Sequence, residues 1–335
     1  MDIGVVGTGS FLPRETVSNA VIAERAGVTE EWIERKTGIR SRRYAAEEEA
    51  TSDLAARAAE AALLDAGITA DQLAWVVVAT STPDHTQPAT ACLVQHLIGA
   101  YRAAAFDLNS VCSGFVFALE AAARMLSPAE AAAPRYALVI GADTYSRIID
   151  RTDRRTAVLF GDGAGAVVLG PARPGRGILG SHLASHGDQH DLISVEAGGS
   201  RHPSSARTVA EGRHFFRMQG RAVSEFVGRE LPGALKQLLD AHQVDPAGVD
   251  HFVPHQANGV LLRELFPLLG LPRARMHLHV AEHGNTSAGS IPLALDAARR
   301  EGAFADGDLL LLAGFGGGMS LGAVLLRWDS GTDRH

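Results

Sequence analysis

Aromatic side chains are scarce in this sequence, 6% of 335 residues, while 46% are hydrophobic and 21% are charged. A chain of that make-up folds around a large aliphatic core. Basic charge is also short: 31 Lys and Arg against 38 Asp and Glu leave a net charge of -7, with no basic block. The salt-sensitive phosphate contacts of a nucleic-acid binder therefore have no source. No apolar run reaches the roughly 18 to 20 residues that span a bilayer. The N-terminal MDIGVVGTGS has no charged stretch leading into a signal-peptide core, so a cytoplasmic protein with neither membrane nor nucleic acid as partner is expected. Cysteine is nearly absent. Cys92 and Cys112 cannot frame a disulfide scaffold and lack a paired zinc-ligand spacing.

Other familiar signatures fail as well. Gly7 and Gly9 begin a G-x-G, but Leu12 and the PRETVSN after it break the dinucleotide fingerprint. No nucleotide cofactor is expected, and these glycines read as a strand-end turn needing positive φ. The glycine run GFGGGMSLG, residues 314–322, lacks the Lys-Ser/Thr ending of a phosphate loop. His182, His186 and His190, and again His277, His279 and His283, are crowded in sequence without a cysteine or placed carboxylate to complete a ligand set, so no metal is expected.

What is present is an alternation. IGVVGTG, LAWVVVATS, YALVIGAD and GAGAVVLG read as strands, and TSDLAARAAEAALLDAG and the stretch after Cys112 read as helices. This pattern predicts an α/β layered domain. After a Gly, His and Pro-containing segment near 171–210 the same grammar returns, with RAVSEFVGRELPGALKQLLDAHQ and SIPLALDAARREG as helices and VDHFVPHQA, DLLLLAGFGGG and SLGAVLLRW as strands. LAWVVVATS corresponds to VDHFVPHQA, and YALVIGADT to LLLLAGFGG. One unit is used twice, residues 1–170 and 171–335, too few copies for a solenoid, and a site between the halves would draw residues from both.

Cys112 lies in AFDLNSVCSGFVFALEAAARML, where an extended stretch gives way to a helix. A thiol at a helix N-terminus is favoured as a thiolate, poised to attack an activated carbonyl. A buried filler cysteine fits the same local sequence. Cys92, inside ATACLVQHLIG, has no such setting and reads as core filler. His255 comes after an apolar strand in VDHFVPHQAN, and Asn285 sits in the Gly-Asn-Thr-Ser turn of EHGNTSAGSIPLAL. Each also fits a plain role, as a helix cap or a turn residue. Together, a thiol, an imidazole and a neutral carboxamide suit decarboxylative condensation, in which two donors hold a thioester oxygen as an enolate forms. In the glycine loop the N–H of Gly318 reads as a partner of the Cys112 N–H in an oxyanion hole, with a hairpin turn as the other reading.

With those residues in view, the sequence resembles β-ketoacyl-acyl-carrier-protein synthase III, of the thiolase superfamily. The likeness runs through EEWIERKTGIRSRR, DLNSVCSGF, LFGDGAGAVVLG, VPHQAN, GNTSAGSIPLAL and GFGGG in family order. It implies a five-layered αβαβα thiolase fold, a homodimer and an acyltransferase priming fatty-acid or polyketide synthesis. An acyl group would pass from acyl-CoA to Cys112. A malonyl thioester, on CoA or on a carrier protein, would then lose carbon dioxide and attack it, with His255 and Asn285 supporting the decarboxylation. Coenzyme A is thus a substrate carrier, with no further cofactor implied. Trp32 and Arg154 match the family's coenzyme A contacts, where an indole and a guanidinium sandwich adenine, and Lys36 is expected beside them. Lys36 itself stands where the family often has arginine, losing the planar fork. Gln87 replaces an aromatic that crosses the dimer to line the acyl pocket, which implies a larger or more polar donor than acetyl. Ser224 replaces another aromatic near the tunnel. Basic carrier-docking positions correspond to Glu225, Val260, Pro267 and Leu268, leaving Arg263 nearby. These departures open a second reading, transfer of the acyl group to an alcohol or amine with His255 as general base. A non-catalytic scaffold is hard to square with an intact Cys-His-Asn set.

Overall fold

The computed structural model describes residues 2–126 and 136–331. Ten strands build two main sheets: β1 (Ile3–Phe11), β2 (Leu73–Ala79), β3 (Ala104–Leu108), β4 (Tyr136–Asp143), β5 (Gly163–Pro171), β6 (Gly177–Ser185), β7 (His251–Pro254), β8 (Arg275–Met276), β9 (Leu309–Gly316) and β10 (Ser320–Arg327). Seven helices matter here: α1 (Glu30–Thr37), α2 (Thr51–Ala66), α3 (Thr90–Leu97), α4 (Gly114–Met125), α5 (Gly220–Ala241), α6 (Gly259–Leu265) and α7 (Ser290–Arg300).

The first sheet runs β3-β2-β4-β5-β1 and the second β8-β7-β9-β10-β6. Each strand of the second is the strand of the first displaced by five. The pairing senses repeat too: β2 is parallel to β3 and β4, and β7 to β8 and β9, while the remaining pairs are antiparallel. LAWVVVATS and VDHFVPHQA thus supply equivalent strands, β2 and β7, as do YALVIGADT and LLLLAGFGG, β4 and β9.

Burial pattern sets the layers. α4 and α7 share one core with residues of both sheets, including Val77, Val139, Leu119, Ile291, Leu295, Leu310 and Val324. α2 and α3 cover the outer face of the first sheet through Leu54, Ala58, Ala62 and Val94. α5 and α6 cover the second through Phe226, Leu235, Leu238 and Leu262. The order is αβαβα, and the two central helices are apolar because they face a sheet on either side. Each buried Val, Leu, Ile or Phe adds about 1.5–3 kcal/mol, so the aliphatic core needs few rings. α2 begins where the Asp53 carboxylate accepts from Ala50 N at 2.8 Å and ends at Gly67 with φ 66, the start and stop chemistry of an Ala-rich helix.

Two local expectations change. Gly7 and Gly9 lie inside β1, not at its end, and neither has positive φ. They are glycines because α2 packs directly on the strand: a Cβ at Gly7 would lie 2.6 Å from the carbonyl oxygen of Ala62, and one at Gly9 would strike the backbone of Ala58 and Ala62. Cys92 is exposed on α3 and is not core filler.

Candidate active site

The loops after β3, β7 and β8 meet between the sheets. Cys112 sits in a 3-10 turn, Val111–Ser113, that leads into α4. Val111 holds φ 48, a region that costs a β-branched residue energy and turns the chain sharply. Cys112 is buried but not sealed, with 7% of its surface accessible. Asn285 precedes a matching 3-10 turn, Ser287–Gly289, that leads into α7. The Asn285 backbone is tied to the first half of the chain, its N–H donating to Leu159 O (2.8 Å) and its carbonyl accepting from Gly161 N (3.0 Å). The left-handed residues of that segment are Gly284 and Ser287, not Asn285. His255 comes directly after β7 and is buried, its N–H donating to Ala313 O at 2.7 Å. Asn258, not His255, caps α6.

Ser287 ties two of the three side chains together. Its hydroxyl donates to Cys112 Sγ at 3.4 Å and its N–H donates to Asn285 Oδ1 at 2.8 Å. At the His255 imidazole, Ser290 Oγ lies 2.7 Å from Nδ1 and accepts from Gln256 N at 3.2 Å. Phe315 packs edge-on to the ring, with centroids 5.2 Å apart. Behind Ser287, the buried Asp143 accepts from Ser81 N, Thr82 Oγ1 and Ala288 N at 2.9, 2.8 and 3.1 Å.

Burial dominates the electrostatics. It pushes the Cys112 thiol up to about 12, with the Ser287 hydroxyl pulling it down and the Asp143 carboxylate pushing it further up. The helix-tip argument for a resting thiolate is therefore corrected: α4 starts only at Gly114, and a helix N-terminus offers about 0.3–1 kcal/mol, too little to offset taking an anion out of water. Burial likewise lowers His255 to about 3, so the imidazole is neutral at physiological pH. Three packed rings lie beside the site. Tyr145 stacks on Phe160 at 4.4 Å, and Phe216 meets both edge-on. The Tyr145 hydroxyl lies 3.0 Å from Ser81 Oγ.

The glycine in closest approach to Cys112 is Gly316, where a Cβ would lie 2.8 Å from Cys112 N. Gly318, read from sequence as an oxyanion donor, has φ 129, and the atoms nearest a Cβ there belong to Ser320. It belongs to the turn that joins β9 to β10. Trp32 is half-buried on α1, whereas Lys36 and Arg154 are exposed, and no ring or ion contact joins Trp32 to Arg154 among the described residues. Gln87 is exposed on the loop before α3. Ser224 lies on α5 with its hydroxyl donating to Gly220 O at 3.0 Å. Among the described residues no three His, Cys, Asp or Glu side chains converge on a metal position; His277 instead pairs with His251 at 3.0 Å, and His279 Nε2 lies 2.9 Å from Ser290 O. Ser287, Ser290, Asp143 and Gly316 were not singled out from sequence. The GNTSAGS run carried the signal for both serines.

Comparison with known proteins decides the family. Residues 106–187 match the family 3-oxoacyl-[acyl-carrier-protein (ACP)] synthase III, and residues 239–328 match its C-terminal region. The chain is 53% identical over 326 residues to acetoacetyl CoA synthase NphT7 of Streptomyces sp. (strain CL190), covering 97% of this chain and 98% of that one. It belongs to the 3-oxoacyl-[acyl-carrier-protein] synthase III family. A second relative of this synthase, β-ketoacyl-[acyl-carrier-protein] synthase III of Bradyrhizobium diazoefficiens, is 47% identical over 330 residues, 97% of this chain and 98% of that one. Among solved structures, the synthase III of Pseudomonas aeruginosa PAO1 superposes with a TM-score of 0.88 at 38% identity, covering 98% and 99% of the two chains. The priming β-ketosynthase from the R1128 polyketide pathway superposes with 0.89 at 33% identity, covering 98% and 97%. The fold is the thiolase fold, and this synthase is a condensing acyltransferase of the synthase III type.

Proposed function

We propose that this synthase joins a short acyl group from acyl-CoA to a malonyl thioester by decarboxylative condensation, with Cys112, His255 and Asn285 as its catalytic residues. The neutral, buried His255 carries the argument. A general base works best with a pKa near the working pH, and an imidazole lowered to about 3 is far from it. As a neutral N–H donor it is well suited. A Ser290 hydroxyl that accepts from Gln256 and donates to Nδ1 leaves the ring proton on Nε2. Asn285, whose Oδ1 is taken by Ser287 N, keeps Nδ2 free for the same oxygen. This favours condensation over transfer to an alcohol or amine.

In the first step Cys112 Sγ attacks the acyl carbonyl, the carbon–sulfur bond to coenzyme A breaks, and the thiol proton ends on the departing coenzyme A. In the second, the malonyl carboxylate leaves as carbon dioxide while His255 and Asn285 hold the thioester oxygen of the enolate. The enolate carbon attacks the acyl carbonyl, Cys112 departs, and one proton from solvent restores the thiol. Lys36 and Arg154, exposed and cationic, suit the phosphates of coenzyme A, with Trp32 beside adenine. The backbone N–H groups of Cys112 and the Gly316–Gly318 turn serve the acyl oxygen.

The packed rings of Tyr145, Phe160 and Phe216 support a small donor such as acetyl against the larger one that Gln87 suggested. The surface that would meet an acidic carrier protein presents Leu268, 68% exposed, and a Glu225 already paired with Arg221 at 2.9 Å. That composition supports malonyl-CoA as the acceptor. A homodimer is supported by β3, an edge strand with half-exposed apolar residues, and by Leu97 and Tyr101 exposed beside it, 49% and 69%: uncovered strand edges are normally paired or protected. The test supplies acetyl-CoA and malonyl-CoA labelled in its free carboxyl group. One labelled carbon dioxide per 3-oxoacyl-CoA formed is expected, and acyl transfer to a hydroxyl or amine without carbon dioxide release would falsify the assignment.

A further inference from the structure

Ser287 lies outside the Cys-His-Asn set, yet two of its groups reach members of it. The N–H fixes the Asn285 carboxamide by its oxygen, and the hydroxyl reaches the sulfur at 3.4 Å. Only the left-handed backbone at this residue, φ 50, aims those groups so. Such a conformation persists in a non-glycine residue where the surroundings over-determine it. They do here. Ala288 N is held by Asp143 Oδ2 at 3.1 Å, and the Ala288 carbonyl is pressed against Gly141, where a Cβ would collide with it. Ser287 is fully buried, so no water competes for its hydroxyl.

The hydroxyl has one proton, and it is directed at the Cys112 sulfur. A hydrogen bond to a charged partner is worth more than one to a neutral partner. We propose that Ser287 is a fourth member of the catalytic set, its hydroxyl donating to the Cys112 sulfur as negative charge develops there. This rests on the assignment of Cys112 as nucleophile. No proton leaves Ser287 in the process.

The experiment reads the sulfur directly. In a Cys92→Ser background, which removes the exposed thiol, alkylation of Cys112 by iodoacetamide is tracked by intact-protein mass between pH 7 and 9. Ser287→Ala is expected to slow alkylation about tenfold, the loss of one hydrogen bond to a charged sulfur. Ser287→Gly, which is at ease at positive φ and therefore folds even if the alanine variant does not, is expected to slow it equally. A purely structural role predicts the reverse, because deleting an atom beside a buried sulfur opens access to it. Alkylation as fast as in the parent, or faster, in either folded variant overturns the proposal. Failure of the nucleophile assignment looks different: acetyl-CoA would leave no acyl increment on Cys112 in the parent, whatever the alkylation rates.

Discussion

Val111 and Ser287 occupy equivalent places in the two halves of this synthase. Each has φ near 50, 48 and 50 respectively, each heads a 3-10 turn, and each turn runs into a central helix, α4 or α7. The next residue sets them apart. Val111 is succeeded by Cys112, the proposed nucleophile, and Ser287 by Ala288, so in the second half the proposed working groups lie on Ser287 itself and on Asn285 before it. The same strained elbow thus presents a sulfur in one half and donors in the other. Duplication supplied two matched mounts, and function divided between them. The buried histidines divide as well. His251, His255, His277 and His279 all lie in the second half, whereas buried carboxylates occur in both, Asp143 and Asp162 in the first and Asp296 and Asp329 in the second.

The largest effect that would break this division is on the chemistry. Cys112→Ala is expected to abolish acyl loading, seen as loss of the mass increment from acetyl-CoA, with turnover down at least about a thousandfold. Asn285→Ala should still load its acyl group and lose about 100- to 1000-fold in condensation. Equal failure of both steps in both variants would mean that the halves do not divide the reaction.

Acid should separate the halves next. His255 is lowered to about 3 and His279 to about 4 by burial. Below the ordinary value of about 6.5 the unfolded chain takes up protons that these rings refuse, so their contribution is complete above that pH and is lost as the pH falls towards about 3 or 4. Each loses at most about 1.4 kcal/mol per pH unit. Asp162 runs the other way: burial raises it from 3.8 to about 6, so the folded state holds the extra proton between those two values and stability rises as the pH falls through that window. Hydrogen exchange at mildly acidic against neutral pH is expected to show β7, β9 and α7 opening more readily than β2, β4 and α4. Uniform loosening would count against the asymmetry, and His279→Gln should flatten the fall in melting temperature.

The smallest effect sharpens the comparison of the elbows. Val111→Gly relieves the left-handed strain and should raise stability by about 1 kcal/mol or less after the loss of side-chain packing, visible as a slightly higher melting temperature with slower acyl loading from a looser nucleophile. A lower melting temperature would show that Val111 is held there by packing rather than against strain.

Much of this architecture was legible in the sequence because it depends on order and period. The two passes of strand and helix, and the positions of Cys112, His255 and Asn285 at element ends, come from patterns that neighbouring residues set. What escaped depends on layers meeting. Gly7 and Gly9 serve a helix whose residues Ala58 and Ala62 lie far along the chain, which no local turn rule reports. The thiol's raised pKa comes from how deeply the turn is buried between two sheets. That Gly316 comes closest to Cys112 follows from how the strand β9 meets the turn before α4. Ser287 was hidden by its ordinariness, a serine after Asn-Thr, until the backbone turned left-handed. Cys92 was misjudged because helix-face orientation depends on which side the sheet occupies.

Gly316 has a consequence for anyone who diversifies this scaffold. Its hydrogen faces the amide of Cys112 across a gap that no methyl group fits, so every other amino acid there must push the sulfur-bearing turn aside. Libraries meant to alter donor choice gain nothing by randomising that codon, whereas the packed rings of Tyr145, Phe160 and Phe216 offer atoms that can be removed.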